Sequence, residues 1–230
     1  MKQKPCISNM GFGIGFLVFS LSVGVIFILL FRPFYYLEMK LLDIPGSSGL
    51  SAAEIRSNYR VLMDYLLPFT GGELAFPTLK ASAGGLKHFA EVKQLIRFVY
   101  AAALGSGILL SAGILRRRKK RDYSYLKTSA RMMAALPVLL GLAFILRFST
   151  VFSVFHRIFF RNDLYLFDPA IDPVILILPE TFFMHCGLVI LAVVLTGSFS
   201  LWLIHHIITK KPALYVVRPD RTGSLSERRI

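Results

Sequence analysis

Cysteine, acidic residues and the common hydrolase motifs are scarce or absent in this chain of 230 residues. Its two cysteines, Cys6 and Cys186, lie before one long apolar run and inside another, so we expect neither a disulfide nor a cysteine metal cluster. No G-x-S-x-G sequence is present, which argues against the nucleophile elbow of the α/β hydrolases. No H-E-x-x-H sequence is present either, so the sequence gives no strong zinc motif.

Long apolar runs dominate what remains. Hydrophobic residues make up 55% of the chain, and four runs are long enough to cross the ~30 Å hydrocarbon layer as helices. These runs occupy residues 11–31, 95–115, 132–154 and 182–204. We therefore predict an all-α membrane protein with four transmembrane helices. Residues 1–208 are predicted to form one membrane domain, followed at 209–230 by a basic, mobile cytoplasmic tail.

The distribution of charge predicts the orientation of these helices. The chain has 27 basic and 13 acidic residues, a formal charge of +14, and eight of the basic residues lie with one acidic residue in segment 116–131. Loop 33–94 has six of each sign, and loop 155–181 has two basic and four acidic residues. The positive-inside rule places segment 116–131 and both termini in the cytoplasm and the two large loops outside the cell membrane. Because this topology explains the basic charge, we do not expect a nucleic-acid partner.

The first outer loop contains a clear helix signal. Ser51-Ala-Ala-Glu54 is typical of a capping box, and the helix it opens should end at Leu67, before Pro68. An apolar stripe follows at helical spacing: Ile55, Tyr59, Leu62 and Leu66. This amphipathic helix is predicted either to lie along the membrane or to pack on the other outer loop. We expect Tyr35 and Tyr36 to be interfacial anchors, and the next helix to begin near Leu86.

Two histidines fall at the outer ends of predicted spans, His88 before the second and His156 after the third. Each has a carboxylate nearby in sequence, Glu91 and Asp163, which can orient an imidazole and make its other nitrogen a better base. The residues alone leave three alternatives open: general acid–base catalysis of acyl transfer, a metal-dependent hydrolase, and a non-enzymatic membrane scaffold or assembly factor. In the third span, Arg147 is either a substrate or lipid-phosphate contact or a snorkelled anchor.

Three segments resemble the lipoprotein intramolecular transacylases of Gram-positive bacteria, which are four-span membrane proteins. They are SAAEIRSNYRVLMDYL, HFAEVKQL and FHRIFFRNDLYLFDPAIDPVILILPETFF. The third is the most specific, because its Phe-His, Asn-Asp, Phe-Asp-Pro and Leu-Pro-Glu elements occur in the expected order. Two departures are mild: Glu91 stands where the family more usually has Asp, and Tyr165 where it has Trp.

The resemblance implies a specific reaction on the outer face of the membrane. A diacylglyceryl-modified lipoprotein would transfer its sn-2 acyl chain from the glycerol oxygen to the α-amino group of its own N-terminal cysteine. The family's two essential histidines map onto His88 and His156. We expect His88 to be the base and His156 the oxyanion donor or general acid, although the sequence allows the reverse.

The resemblance also bears on the supporting residues and partners. Glu91, Asp163 and Tyr59 would orient the histidines, and Arg147 and Tyr165 would contact substrate or lipid. The expected partners are diacylglyceryl-modified lipoproteins and membrane phospholipid, with neither a cofactor nor a metal.

Overall fold

Four long helices form the body of the protein. The computed structural model describes residues 7–210, 216–219 and 225–228. The long helices are α1 (Ile7–Leu30), α5 (Ala83–Lys119), α6 (Ser124–Phe159) and α8 (Glu180–Thr209). Each contains an apolar stretch long enough to cross a membrane, so the four predicted spans are confirmed. Helix α1 extends beyond its predicted span only at the N-terminal end, and the other three helices extend beyond theirs at both ends.

Short elements fill the connections at one end of the bundle and follow the last long helix. Four short helices lie between the long ones: α2 (Arg32–Leu41), α3 (Ile44–Ser48), α4 (Ala52–Leu66) and α7 (Val174–Ile177). After α8, the strands β1 (Val216–Pro219) and β2 (Leu225–Arg228) pair antiparallel, which the sequence analysis did not predict. Much of the tail, at 211–215, 220–224 and 229–230, lies outside the described residues, so the mobile tail stays a prediction.

The long helices pack closely enough to bond across the bundle. Helix α8 packs along α6, and α1 packs against α5, α6 and α8. In the middle, Met133 and Val194 are fully buried, and the Ser198 hydroxyl donates to the Ala130 carbonyl at 2.7 Å. Such a bond satisfies a hydroxyl that has no water to pair with inside a bilayer.

The basic segment and the large loops lie at opposite ends of the bundle. At one end, the Asn9 amide donates to Ser124 at 3.1 Å, and Arg117 pairs with Asp122 and donates to Ser8 at 2.7 Å. The starts of α1 and α6 therefore meet the basic end of α5. The end of α1, the start of α5, the end of α6 and the start of α8 lie at the other end, with the short helices.

Helix α4 packs on α2 and α5, and α2 in turn contacts the second large loop. Ser51 and Glu54 form the predicted capping box, and the four residues of the predicted stripe are buried. Tyr59 stacks on Tyr35 with ring centroids 3.5 Å apart, and the Tyr35 hydroxyl donates to the Ile177 carbonyl at 2.7 Å. Tyr35 is therefore a fully buried core residue, and its prediction as an interfacial anchor was wrong.

Two features of the long helices differ from expectation. Helix α5 begins at Ala83, before the predicted Leu86, because the Ser82 hydroxyl caps it by accepting from the Gly85 amide at 2.9 Å. Helix α6 continues through Pro137, but its backbone leaves the helical region at Arg147, with φ −144° and ψ 43°.

A buried carboxylate and a partly exposed histidine join α2 to α8. Glu38 is buried, and its carboxylate lies 2.6 Å from Nδ1 of His185. A carboxylate removed from water requires such a partner, because its desolvation otherwise costs several kcal/mol.

Replacing only His185 should therefore destabilise the fold more than replacing both partners. We expect His185→Leu to lower the free energy of unfolding by about 3–5 kcal/mol, because it leaves the Glu38 carboxylate buried and unpaired. The double variant Glu38→Leu/His185→Leu should recover most of that loss. Thermal unfolding in detergent measures both, with His205→Leu as the control at the opposite end of α8. A double variant less stable than His185→Leu would contradict the pairing.

Candidate active site

The first turns of α5 and the last turn of α6 bring His88 and His156 together. Their ring centroids are 5.8 Å apart and their planes differ by 30°. Both side chains are buried, with residue exposures of 5% and 7%. Two histidines separated by 68 positions in the sequence therefore form one pair, at the end of the bundle away from the basic segment.

The tautomer of His156 follows from its hydrogen bond. Its Nδ1 lies 2.7 Å from the carbonyl oxygen of Phe152, one helical turn earlier. A carbonyl only accepts, so Nδ1 must carry the proton. In the neutral ring, Nε2 then presents a lone pair, which is the form that a general base requires.

His88 contains a buried polar atom without a partner. Its Nδ1 makes no hydrogen bond, and its ring is packed by Phe160 at 4.9 Å, Phe167 at 5.6 Å and Phe89 at 5.9 Å. Leaving such an atom unpaired costs about 1–3 kcal/mol. A substrate atom that bonded to this nitrogen would recover that cost, so the atom is a candidate contact for a reacting group.

Aromatic rings form the walls around His156. Tyr165 stacks on the imidazole with centroids 4.2 Å apart, and Phe152 packs against it at 4.1 Å. Tyr165 is itself buried. The structure therefore brings Tyr165 into the site, in contact with a histidine.

Glu91 makes a different contact from the one expected. Its carboxylate accepts from the Asn162 amide at 2.9 Å, while Nδ1 of His88 has no partner. The Asn162 side-chain oxygen in turn accepts from the Leu164 amide at 3.1 Å. Glu91 thus joins α5 to the loop after α6. It can affect His88 only indirectly, by fixing the position of α5 and by the negative charge of its carboxylate.

Two other predicted supports make no hydrogen bond to either histidine of the pair. Asp163 is exposed at the surface of the loop. Tyr59 is buried between the rings of Tyr35 and Tyr36, and burial raises the pKa of its hydroxyl. This hydroxyl therefore stays protonated and stabilises the outer layer; the structure does not place it against either histidine ring.

Arg147 lies too deep to reach the pair. It precedes His156 by nine residues, or about 13 Å along a helix, and its side chain is exposed on the outside of the bundle. This position fits a lipid-phosphate contact or a snorkelled anchor and places the side chain away from the reacting groups.

Several residues that build the site were not predicted from the sequence. They are Ser82, Phe152, Phe160, Asn162, Phe167 and Asp172. Ser82 precedes a helix and is a possible N-cap by residue type. Phe152 contacts His156 only four residues away, but through a backbone carbonyl, which its residue type does not reveal. The other four act through partners far away in sequence. Within residues 7–210, no group of three or more His, Cys, Asp or Glu side chains is placed to bind a metal ion.

Comparison with known proteins identifies the family. The family model described as lipoprotein intramolecular transacylase Lit matches residues 10–183. The solved structure of the membrane-integral transacylase Lit from Bacillus cereus is similar to the chain, with 30% sequence identity and a TM-score of 0.85, over 88% of this chain and 94% of that one. Two structures of the same bacterial protein, with one histidine replaced by arginine or by alanine, give TM-scores of 0.79 over 88% of this chain and 90% and 92% of theirs. No curated protein sequence matches the chain.

These matches decide between the enzyme and the scaffold alternatives. The family model and the solved relatives are all described as transacylases, and the family match at residues 10–183 includes the helices that bear the histidine pair. The chain is a multi-pass membrane acyltransferase, and it belongs to the lipoprotein intramolecular transacylase family.

Proposed function

We propose that the chain transfers the sn-2 acyl group of a diacylglyceryl-modified lipoprotein to the α-amino group of the same molecule's N-terminal cysteine. The product is an N-acyl lipoprotein with a free hydroxyl at the glycerol sn-2 position. The observation that carries this proposal is the buried pair of imidazoles, one with its tautomer fixed by the Phe152 carbonyl and one with an unpaired nitrogen. Such a pair supplies one proton acceptor and one polar group for the reacting oxygen.

His156 is the base in this proposal. The neutral amine attacks the ester carbonyl, a C–N bond forms, and Nε2 of His156 takes the proton that nitrogen loses. The C–O bond to glycerol then breaks, and the same proton passes to the departing oxygen. This assignment reverses the roles expected from the sequence. The Phe152 carbonyl accepts a hydrogen bond from Nδ1 of His156, so the proton of the neutral ring lies on Nδ1 and Nε2 is unprotonated.

His88 pairs with the oxygen that gains charge. Its Nδ1 is buried without a partner, and hydrogen bonds to a developing oxyanion strengthen where water is excluded. Protonating both rings would place two positive charges near each other. The pair therefore works with one mobile proton. This suits an acyl transfer in which the net proton movement is from the amine nitrogen to the glycerol oxygen.

A sparse site is sufficient because amine and ester belong to one molecule. Alignment of joined reactants supplies roughly 7–11 kcal/mol of the barrier. An α-amino group has a pKa of about 7.7–8.0, so its neutral form is accessible near neutral pH. Acid–base help of about 10²–10⁴-fold then completes the catalysis.

The position of the pair in the fold favours an active site on the outer face. The histidines and the basic segment lie at opposite ends of the bundle, and the positive-inside rule puts the basic end in the cytoplasm. The aromatic walls, including Tyr165, suit the membrane boundary, where lipoprotein acyl chains enter the bilayer.

Loss of either imidazole should abolish most of the transfer. We expect His88→Ala and His156→Ala to reduce the rate by about 10²–10⁴-fold, measured as the lipid form of a reporter lipoprotein by mass spectrometry. His205→Ala, near the opposite end of the bundle, is the control and should retain the wild-type rate. Full conversion by either site variant, at equal membrane abundance, would contradict the role of that histidine.

Thiol labelling tests the orientation. In a Cys6→Ser background, Ala170→Cys should react with a membrane-impermeant maleimide in intact cells, because Ala170 is exposed in the second large loop. Lys120→Cys, exposed in the basic segment, should react only after permeabilisation. The Cys6→Ser parent, which keeps the buried Cys186, gives the background. The opposite labelling pattern would overturn the topology.

A further inference from the structure

Asp172 is a buried carboxylate to which the reaction above assigns no role. Its residue exposure is 6%, and both of its oxygens are bonded to one residue, Ser82. Oδ1 accepts from the Ser82 amide at 2.6 Å, and Oδ2 accepts from the Ser82 hydroxyl at 2.7 Å. Asp172 belongs to the loop that follows α6, and Ser82 immediately precedes α5. This contact therefore joins the two segments that adjoin the histidine-bearing helices.

The contact lies directly above His88 on the same helix face. Ser82 caps α5 by accepting from the Gly85 amide, and Gly85 precedes His88 by three residues, which places both on one side of the helix. A Cβ on Gly85 would lie 2.5 Å from Oδ1 of Asp172 and 3.2 Å from the Phe167 ring. The absence of that atom allows Asp172 to approach the helix start.

Phe167 extends the same contact to the imidazole. Its ring packs on His88 with centroids 5.6 Å apart and stacks on Phe89 at 5.6 Å. Asp172 and Phe167 therefore approach the first turns of α5 from one loop. A carboxylate is well suited to this place, because it pairs with amide and hydroxyl donors and with the positive end of the helix dipole.

We infer that Asp172 is a positioning residue, which fixes the start of α5 and thereby sets the place of His88 relative to His156. This inference rests on the proposed function, because its purpose is the alignment of that pair. It acts through Ser82, Gly85 and Phe167 without touching the reacting atoms. Misplacement of a catalytic group by about 1 Å costs on the order of 10²-fold in rate.

Kinetics of two Asp172 variants test the inference. With a purified enzyme and a synthetic diacylglyceryl lipopeptide, Asp172→Ala should lower kcat by on the order of 10²-fold with little change in KM. Asp172→Asn, which keeps the shape and one acceptor, should lose roughly tenfold, because the charge-assisted bonds are weakened. Glu54→Gln is the matched control, since Glu54 also bonds to a capping serine but on α4, and it should retain the wild-type kcat. An unchanged kcat in folded Asp172→Ala, or a change confined to KM, would overturn the inference.

A double variant separates positioning from general loss of structure. Gly85→Ala alone should reduce kcat about as much as Asp172→Ala, because the new methyl displaces the carboxylate. In the Asp172→Ala background the 2.5 Å clash with the carboxylate is gone and only the 3.2 Å approach to Phe167 remains, so Gly85→Ala should cause much less further loss than it does alone. Two losses that multiply would contradict the shared contact.

The ring signals of His88 give a readout that needs no turnover. Nitrogen-15 spectra of the detergent-solubilised protein, assigned with His88→Ala, should show the His88 signals displaced in Asp172→Ala and unchanged in Glu54→Gln. If the wild type failed to convert the lipopeptide while these signals moved, the proposed function would fail and the positioning role would stand. If the wild type converted it and the signals did not move, the positioning role would fail.

Discussion

Contact between the His88 and His156 rings requires the start of α5 and the end of α6 to be joined at one end of the bundle. Neither helix supplies this alignment alone, because His88 is in the first turns of one and His156 in the last turn of the other. The loop after α6 supplies it by folding back over α5. The Asn162–Glu91 bond and the Asp172–Ser82 bonds join loop and helix on either side of His88 in the sequence.

Low polarity around the pair determines how it can react. Aromatic rings pack both imidazoles, so each polar atom needs a defined partner. The Phe152 carbonyl satisfies one nitrogen of His156, whereas Nδ1 of His88 has no partner. This asymmetry distinguishes two residues that look equivalent in the sequence, and it is the physical basis for naming His156 the base.

The sequence predicted the parts of the fold that depend on local patterns. Apolar run length revealed the four spans, and the Ser51–Glu54 spacing revealed the start of α4, because both signals lie within one segment.

Partners distant in sequence were not predictable in this way. Glu91 is three residues from His88 but bonds to Asn162, 71 positions away, and Asp172 bonds to a serine 90 positions away. Tyr35 looked like a surface anchor because its residue type suits an interface, yet stacking on Tyr59 buries it completely. The family resemblance predicted the two histidines as the catalytic pair, and the hydrogen bond from His156 to the Phe152 carbonyl supports the different roles proposed for them.

The most direct test of the histidine-pair mechanism is incubation of purified protein with a synthetic diacylglyceryl lipopeptide in the presence of a chelator, with the product identified by mass spectrometry. The histidine-pair mechanism predicts a product of unchanged mass whose acyl chain has moved from the glycerol oxygen to the α-nitrogen, which fragmentation distinguishes. The chelator should not alter the rate. Release of free fatty acid, dependence on added metal, or recovery of the intact O-acyl lipopeptide would contradict it.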